Sequence, residues 1–204
     1  MAAKETEGHA AKARTRKSRA LVSAGVFIAL YFVVFMVFGV LCMPVPVLYL
    51  VMPGLIALFA APIYRMLVAK APMHGPVLIA ALLPALFLML QGNIWIVGLT
   101  AVVAGVSAEV VLGIVRFKGK AGTMASYLLF TQNLWGGFLP IWIMRDFFFE
   151  KSAGMGGEFV EVLMALTPTW VLFAQLGLVA VCAFVGFVLA GRLFKKHFEK
   201  AGVV

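Results

Sequence analysis

The apolar residues of this sequence are gathered into long runs, and most of the charged residues lie between them. A helix rises about 1.5 Å per residue, so some 20 apolar residues cross the hydrocarbon layer of a bilayer. Six runs meet or approach that length: residues 20–43, 46–64, 76–91, 94–115, 122–144 and 167–191. The third is short and interrupted by Pro84, and Pro44, Pro46 and Pro53 crowd the first turn, so both places are expected to be irregular. The pattern predicts an all-α polytopic membrane protein with six transmembrane helices. Its membrane domain covers residues 20–192, between a basic flexible tail over 1–19 and a basic tail over 193–204. No fixed-period repeat or internal duplication is visible.

Composition removes the alternatives. Hydrophobic residues make up 64% of the chain and charged ones 12%, against about 25% charged in soluble domains, too few to cover a core in water. Only two cysteines occur, Cys42 and Cys182, both inside apolar runs and without metal or redox spacing. A cleavable signal peptide has the same outline as the start of the chain. The run over 20–43 is longer than a signal core of about 7 to 15 residues and lacks a small-x-small exit, so a permanent span is expected.

Net charge is +9, and its placement carries the information. With an even number of spans both termini share a side. Of 17 lysines and arginines, 15 fall on the termini and the connections of that side, and only Arg145 and Lys151 on the other. Positive charge collects in the cytoplasm, so both termini are expected there. The basic run Arg14, Arg16, Lys17 and Arg19 is then placed to meet anionic lipid headgroups, and a nucleic-acid partner is not expected. His9, His74 and His197 all go to the cytoplasmic edge.

No catalytic constellation is present: HExxH, GxSxG and a P-loop are all absent. An enzyme is not expected, nor a resident cofactor or metal, and any ATP-driven transport would need a partner's ATPase. Candidate binding residues are polar groups that lipid would reject. Gln132, Asn133 and Trp135 lie near mid-membrane, just before Gly136, Gly137 and Pro140, where a helix can loosen and face a cavity. Hydrogen bonds to neighbouring helices explain them equally well. Nearer the outer surface stand Gln91, Asn93, Trp95, Arg145, Asp146, Glu158 and Trp170, the two tryptophans also serving as interfacial anchors. Thr167 before Pro168 reads as an N-cap, and residues 155–166 as a short amphipathic helix over the outer mouth, either a lid or a surface helix. Glu109, the one acid well inside a span, is expected to snorkel toward the cytoplasm or to pair with a basic group there. Small residues four apart form two adjacent stripes on the first span, Ala20 with Ala24 and Gly25 with Ala29, which let another helix approach closely.

Four stretches carry a resemblance: AGVFIALYFVVF, IMRDFFF, ALTPTW and the ending GRLFKKHFEKAGVV. From about residue 18 onward the chain resembles the Trep_Strep group of substrate-binding S components of energy-coupling factor (ECF) transporters. That resemblance implies a subunit that captures a micronutrient outside and docks on a transmembrane T component carrying two ABC ATPases. It places the docking stripe on the first helix, at Ala20 and Ala24 or at Gly25 and Ala29, and the substrate near the outer surface. A vitamin-like ligand is expected. The alternatives are a haem or porphyrin, with Tyr49, Met43, Met52, Met144, Met155 or Met164 as axial ligand, and a membrane scaffold with no small-molecule ligand. A channel or coupled carrier would need a pore-lining polar stripe or intramembrane acids, which the spans lack.

Overall fold

The structure, a computed structural model, describes the backbone of residues 2–200 and the side chains of residues 15–154 and 156–195. Ten α-helices and two short 3-10 turns make up the regular structure, with no strand among the described residues. Helix α1 runs Ala2–Cys42, α2 Pro46–Phe59, α3 Ala61–Lys70, α4 Pro76–Leu90 and α5 Ile96–Ile114. Then come α6 Lys120–Phe130, a 3-10 turn Thr131–Trp135, α7 Pro140–Ile143, α8 Arg145–Ser152, α9 Gly157–Ala165 and α10 Thr169–Lys200. The basic segment near the N-terminus is thus helical in its backbone, while side chains on 1–14, His9 among them, and that of His197 lie outside the described residues.

Three of the six expected spans are single helices long and apolar enough to cross a membrane: Thr15–Cys42, Ile96–Ile114 and Thr169–Lys195. The second expected span is a bent pair, α2 and α3 meeting at 40°. Pro62, in the first turn of α3, has no N–H to give the Leu58 carbonyl four residues back, so the ladder breaks at Ala60. Helix α4 passes through Pro84 without interruption, contrary to expectation, because a buried proline packed by neighbours is tolerated in such helices. Its 15 residues reach only about 22 Å, less than a hydrocarbon layer. The fifth expected span is not one helix: α6 stops at Phe130 and the chain turns through Trp135. The looseness expected around Gly136, Gly137 and Pro140 is real and starts five residues earlier, at Thr131.

Packing follows the positions of small residues. Helix α1 turns Ala24, Ile28, Tyr31 and Phe35 inward, at helical spacing, while Gly25 and Ala29 lie exposed beside Val22, Val26 and Val33. Helix α10 packs closely on α2, and a Cβ added at Gly186 would overlap the backbone of Leu58. Proline therefore leaves the Leu58 carbonyl unpaired within its helix and glycine lets α10 approach it. Arg65 of α3 completes this contact, donating to the Phe187 carbonyl at 3.0 Å with its guanidinium 4.6 Å from the centre of the Phe187 ring.

Buried polar groups mostly bond between helices. The Tyr127 hydroxyl donates to the Ala57 carbonyl, and Ser126 donates to the Ala108 carbonyl while sharing a hydrogen bond with Tyr64. Of the two expectations for Glu109, a basic partner is found, and it is His74 rather than a lysine or arginine. Its carboxylate accepts the backbone N–H of Gly75 at 2.7 and 2.8 Å and that of Leu78 at 3.0 Å, with His74 Nδ1 3.7 Å away. It caps α4 from a neighbouring helix, because Gly75 in the cap position has no side chain to do so and Pro76 follows.

Candidate functional site

One end of the bundle is hollow. Helix α1 ends there, α2 starts there, α4 finishes there, and the 3-10 turn and α8 fold over the same end. Helix α3 packs against α1 and α10 elsewhere in the bundle. Between the first group of elements lies a cavity of about 340 Å³, within the usual range for small-molecule sites.

Its wall is largely aromatic and thioether. Phe35, Met36, Gly39 and Met43 come from the end of α1, Tyr49 and Met52 from α2, and Phe87 and Leu88 from α4. Leu134, Gly137 and Phe138 enter from the broken segment, and Phe147 and Phe148 from α8. Leu134, Gly137 and Phe138, three and four residues apart, present one face of the broken segment to the cavity. Tyr49 is braced by Phe138, ring centres 4.9 Å apart, and by Phe159 of α9 at 6.0 Å edge-on. Polar groups are few: Gln91, Asn93, Lys151 and the buried Ser152. Such a chamber takes a molecule with a flat or apolar body and fixes it through a small number of polar contacts.

Of the ten binding candidates read from the sequence, only Gln91 and Asn93 line the cavity. Asn133 is buried, donates to the Phe130 carbonyl and accepts from the Tyr31 hydroxyl at 3.4 Å. Gln132 donates to the Leu128 carbonyl at 3.2 Å, so both amides serve the backbone where the helix breaks. Trp135 is half-buried and its indole N–H has no acceptor among the described residues. Trp95 and Trp170 are 64% and 67% exposed, in keeping with interfacial anchoring. Asp146 and Glu158 are exposed and away from the cavity wall.

Arg145 has a structural task. Its two terminal nitrogens donate to the carbonyls of Thr167 at 3.1 Å and Met164 at 3.0 Å, and its guanidinium lies over the Phe149 ring. Trp142 donates to the Pro168 carbonyl nearby. These contacts fasten the C-terminal end of α9, which is the short helix expected over 155–166. Thr167 is not the N-cap of α10: its hydroxyl turns back to the Leu163 carbonyl at 2.8 Å and so belongs to the end of α9. Of the possible porphyrin ligands, Tyr49, Met43 and Met52 face the cavity, Met144 and Met164 do not, and the Met155 side chain lies outside the described residues.

Nothing in the residue pattern marks the α1 contribution. Phe35, Met36 and Gly39 sit in an apolar run where a residue facing lipid and one facing a cavity look alike. A signal was available in α8, where Lys151 and Ser152 follow three phenylalanines, but only the fold brings them beside Gln91.

The model of one protein family, described as hypothetical bacterial integral membrane protein (Trep_Strep), matches residues 18–200. No curated protein and no solved structure matches the chain.

Proposed function

The chain belongs to the Trep_Strep family of bacterial integral membrane proteins, and from that premise we propose that it is the substrate-capturing S component of an ECF-type ABC importer. One observation carries the reading: a partly open, largely apolar chamber of about 340 Å³ at one end of a helical membrane protein, with few polar residues at its edge. With both termini in the cytoplasm, as the 15-to-2 division of basic residues favours, the chamber opens to the outside. Six crossings then include the short α4 and the broken segment from α6 to α7. The captured molecule is a vitamin-like micronutrient whose flat part stacks among Phe35, Tyr49, Phe87 and Phe138.

Transport energy comes from partners, a T component and two ABC ATPases. Hydrolysis there turns the loaded subunit so that its chamber faces the cytoplasm. A body with one buried acid, tied to backbone amides, suits rotation in lipid, since unpaired intramembrane charge is costly. Docking falls to the exposed stripe of α1: Gly25 has no atom within 4 Å of where a side chain would begin, whereas Ala24 is committed to the core. Gly25→Leu with Ala29→Leu is expected to lower co-purification with the T component about tenfold while leaving the subunit folded, read by pull-down from detergent.

The reading is tested by expressing the chain with a T component and its ATPases and measuring uptake of the molecule it retains. Uptake dependent on ATP and on this subunit supports it; absence of both co-purification and uptake overturns it. A second reading has its own observation, the convergence of Tyr49, Met43 and Met52 on the cavity, which offers axial ligands to a porphyrin as cargo. A haem absorption band in protein purified from haem-supplied cells decides for that cargo over a vitamin-like one.

Gly39 offers a direct way to close the chamber. It lines the wall and has no atom within 4 Å of a built Cβ, so Gly39→Phe is expected to fill the space without disturbing the helix, abolishing ligand retention at nearly unchanged thermal stability.

A further inference from the structure

We propose that the cavity takes a ligand bearing one anionic group, a carboxylate or phosphate, and that the ammonium of Lys151 receives it. This deepens the reading of the chain as a capture subunit and rests on it. Lys151 is the one charged residue in the cavity wall, and no aspartate or glutamate lines it. An ammonium has three protons to donate. Lys151 Nζ makes one hydrogen bond among the described residues, to the neutral carbonyl of Gln91 at a long 3.3 Å. No carboxylate comes within ion-pair distance of it; the pair formed among the described residues is His74 with Glu109. Glu150 is its immediate neighbour on α8, and adjacent helical residues do not face each other.

The other cation of this part of the chain is committed to the backbone, Arg145 donating through both terminal nitrogens to carbonyls, and it does not line the cavity. Lys151 has ammonium donors to spare and, though exposed to solvent, borders the apolar chamber. Gly92 turns between α4 and α5 at φ +85°, and the lysine lies alongside this turn, 3.6 Å from where a Cβ would stand, an ordinary contact distance. Ser152 and Asn93 line the same cavity and offer neutral hydrogen-bonding groups to other parts of the ligand. In a bond from the ammonium to an anion both partners are ionised, whereas its present acceptor is a neutral carbonyl. Phe35, Phe87 and Phe138 then cover the ligand's apolar body.

Two sources present this chemistry: a soluble acid entering from water, and an anionic lipid whose chain enters between the helices. The full chain is placed in nanodiscs of phosphatidylcholine and titrated with 2-naphthylacetate and with 2-naphthylacetamide, its neutral twin. Binding is read by equilibrium dialysis against empty discs. Wild type is expected to bind the acid about tenfold more tightly than the amide, about 1.4 kcal/mol. Lys151→Met removes that preference, and Lys151→Arg restores most of it. Equal binding of both compounds by wild type, or a preference that survives in Lys151→Met, overturns the proposal and leaves the capture reading standing, since the chamber still takes a small molecule. In a second arm, lipids are extracted from protein purified out of mixed phosphatidylcholine and phosphatidylglycerol bilayers. If neither naphthyl compound binds but phosphatidylglycerol is enriched by wild type and not by Lys151→Met, the anion site stands, its occupant is lipid, and the capture reading falls. Neither binding nor enrichment overturns both.

Discussion

Replacing Gly186 by alanine is expected to push α2 and α10 apart and to lower the melting temperature measurably. The added methyl overlaps the carbonyl and Cα of Leu58, which are backbone atoms and cannot rotate away. Overpacking of this kind costs on the order of 3 kcal/mol, and alanine's better helix propensity returns about 1 kcal/mol. A net loss of roughly 2 kcal/mol lowers the melting temperature of a chain this size by about 4 to 8 °C. Gly177 is the internal control: it sits on the same helix with nothing within 4 Å, so Gly177→Ala should match or slightly exceed wild type. Thermal unfolding in detergent, followed by tryptophan fluorescence, separates the two. Equal melting of Gly186→Ala and wild type would mean that α10 does not rest on the proline-broken ladder of α2 and α3.

The second large effect concerns Glu109. Glu109→Ala leaves the N–H groups of Gly75 and Leu78 without their acceptor at the start of α4, whose own cap residue is a glycine. Hydrogen bonds to a charged acceptor contribute about 1.5 to 3 kcal/mol, so a loss near 2 to 3 kcal/mol is expected, with Glu109→Gln recovering part of it through its remaining carbonyl oxygen. Because α4 supplies Phe87, Leu88 and Gln91 to the chamber, its fraying should also weaken ligand retention. Amide hydrogen exchange over residues 75–80 is the sensitive measurement: faster exchange in Glu109→Ala than in Glu109→Gln is expected, and unchanged exchange would exclude the cap.

How far these features could be read beforehand depends on whether neighbours along the chain or neighbours in space decide them. The membrane setting, the long helices α1, α5 and α10, the loosening near Gly136 and the short helix α9 are all local consequences of hydropathy, glycine and proline, and the sequence displays them. Glu109 was visible as an oddity, but its partners, Gly75 and Leu78, lie 34 and 31 residues away and are backbone groups that no side-chain pattern marks. The two stripes on α1 were equivalent by spacing; packing distinguishes them, taking Ala24 inward and leaving Gly25 exposed.

The binding candidates show the limit most clearly. Searching for polar residues picked Arg145, Gln132 and Asn133, whose polar atoms satisfy backbone carbonyls around a helix break and a helix end. In a protein where lipid is the solvent, buried polar groups first meet the demands of the backbone. The chamber is instead built from phenylalanine and methionine, which composition cannot tell from lipid-facing residues.

The central claim is that the chamber holds a small molecule. Quantitative mass spectrometry of what co-purifies with wild type and with Gly39→Phe, both extracted in mild detergent from the same cells, tests it most directly. The prediction is one small molecule present at roughly the amount of protein in wild type and at least about tenfold depleted in Gly39→Phe, whose melting temperature is unchanged. No retained molecule in wild type, or the same amount in both proteins, would contradict it.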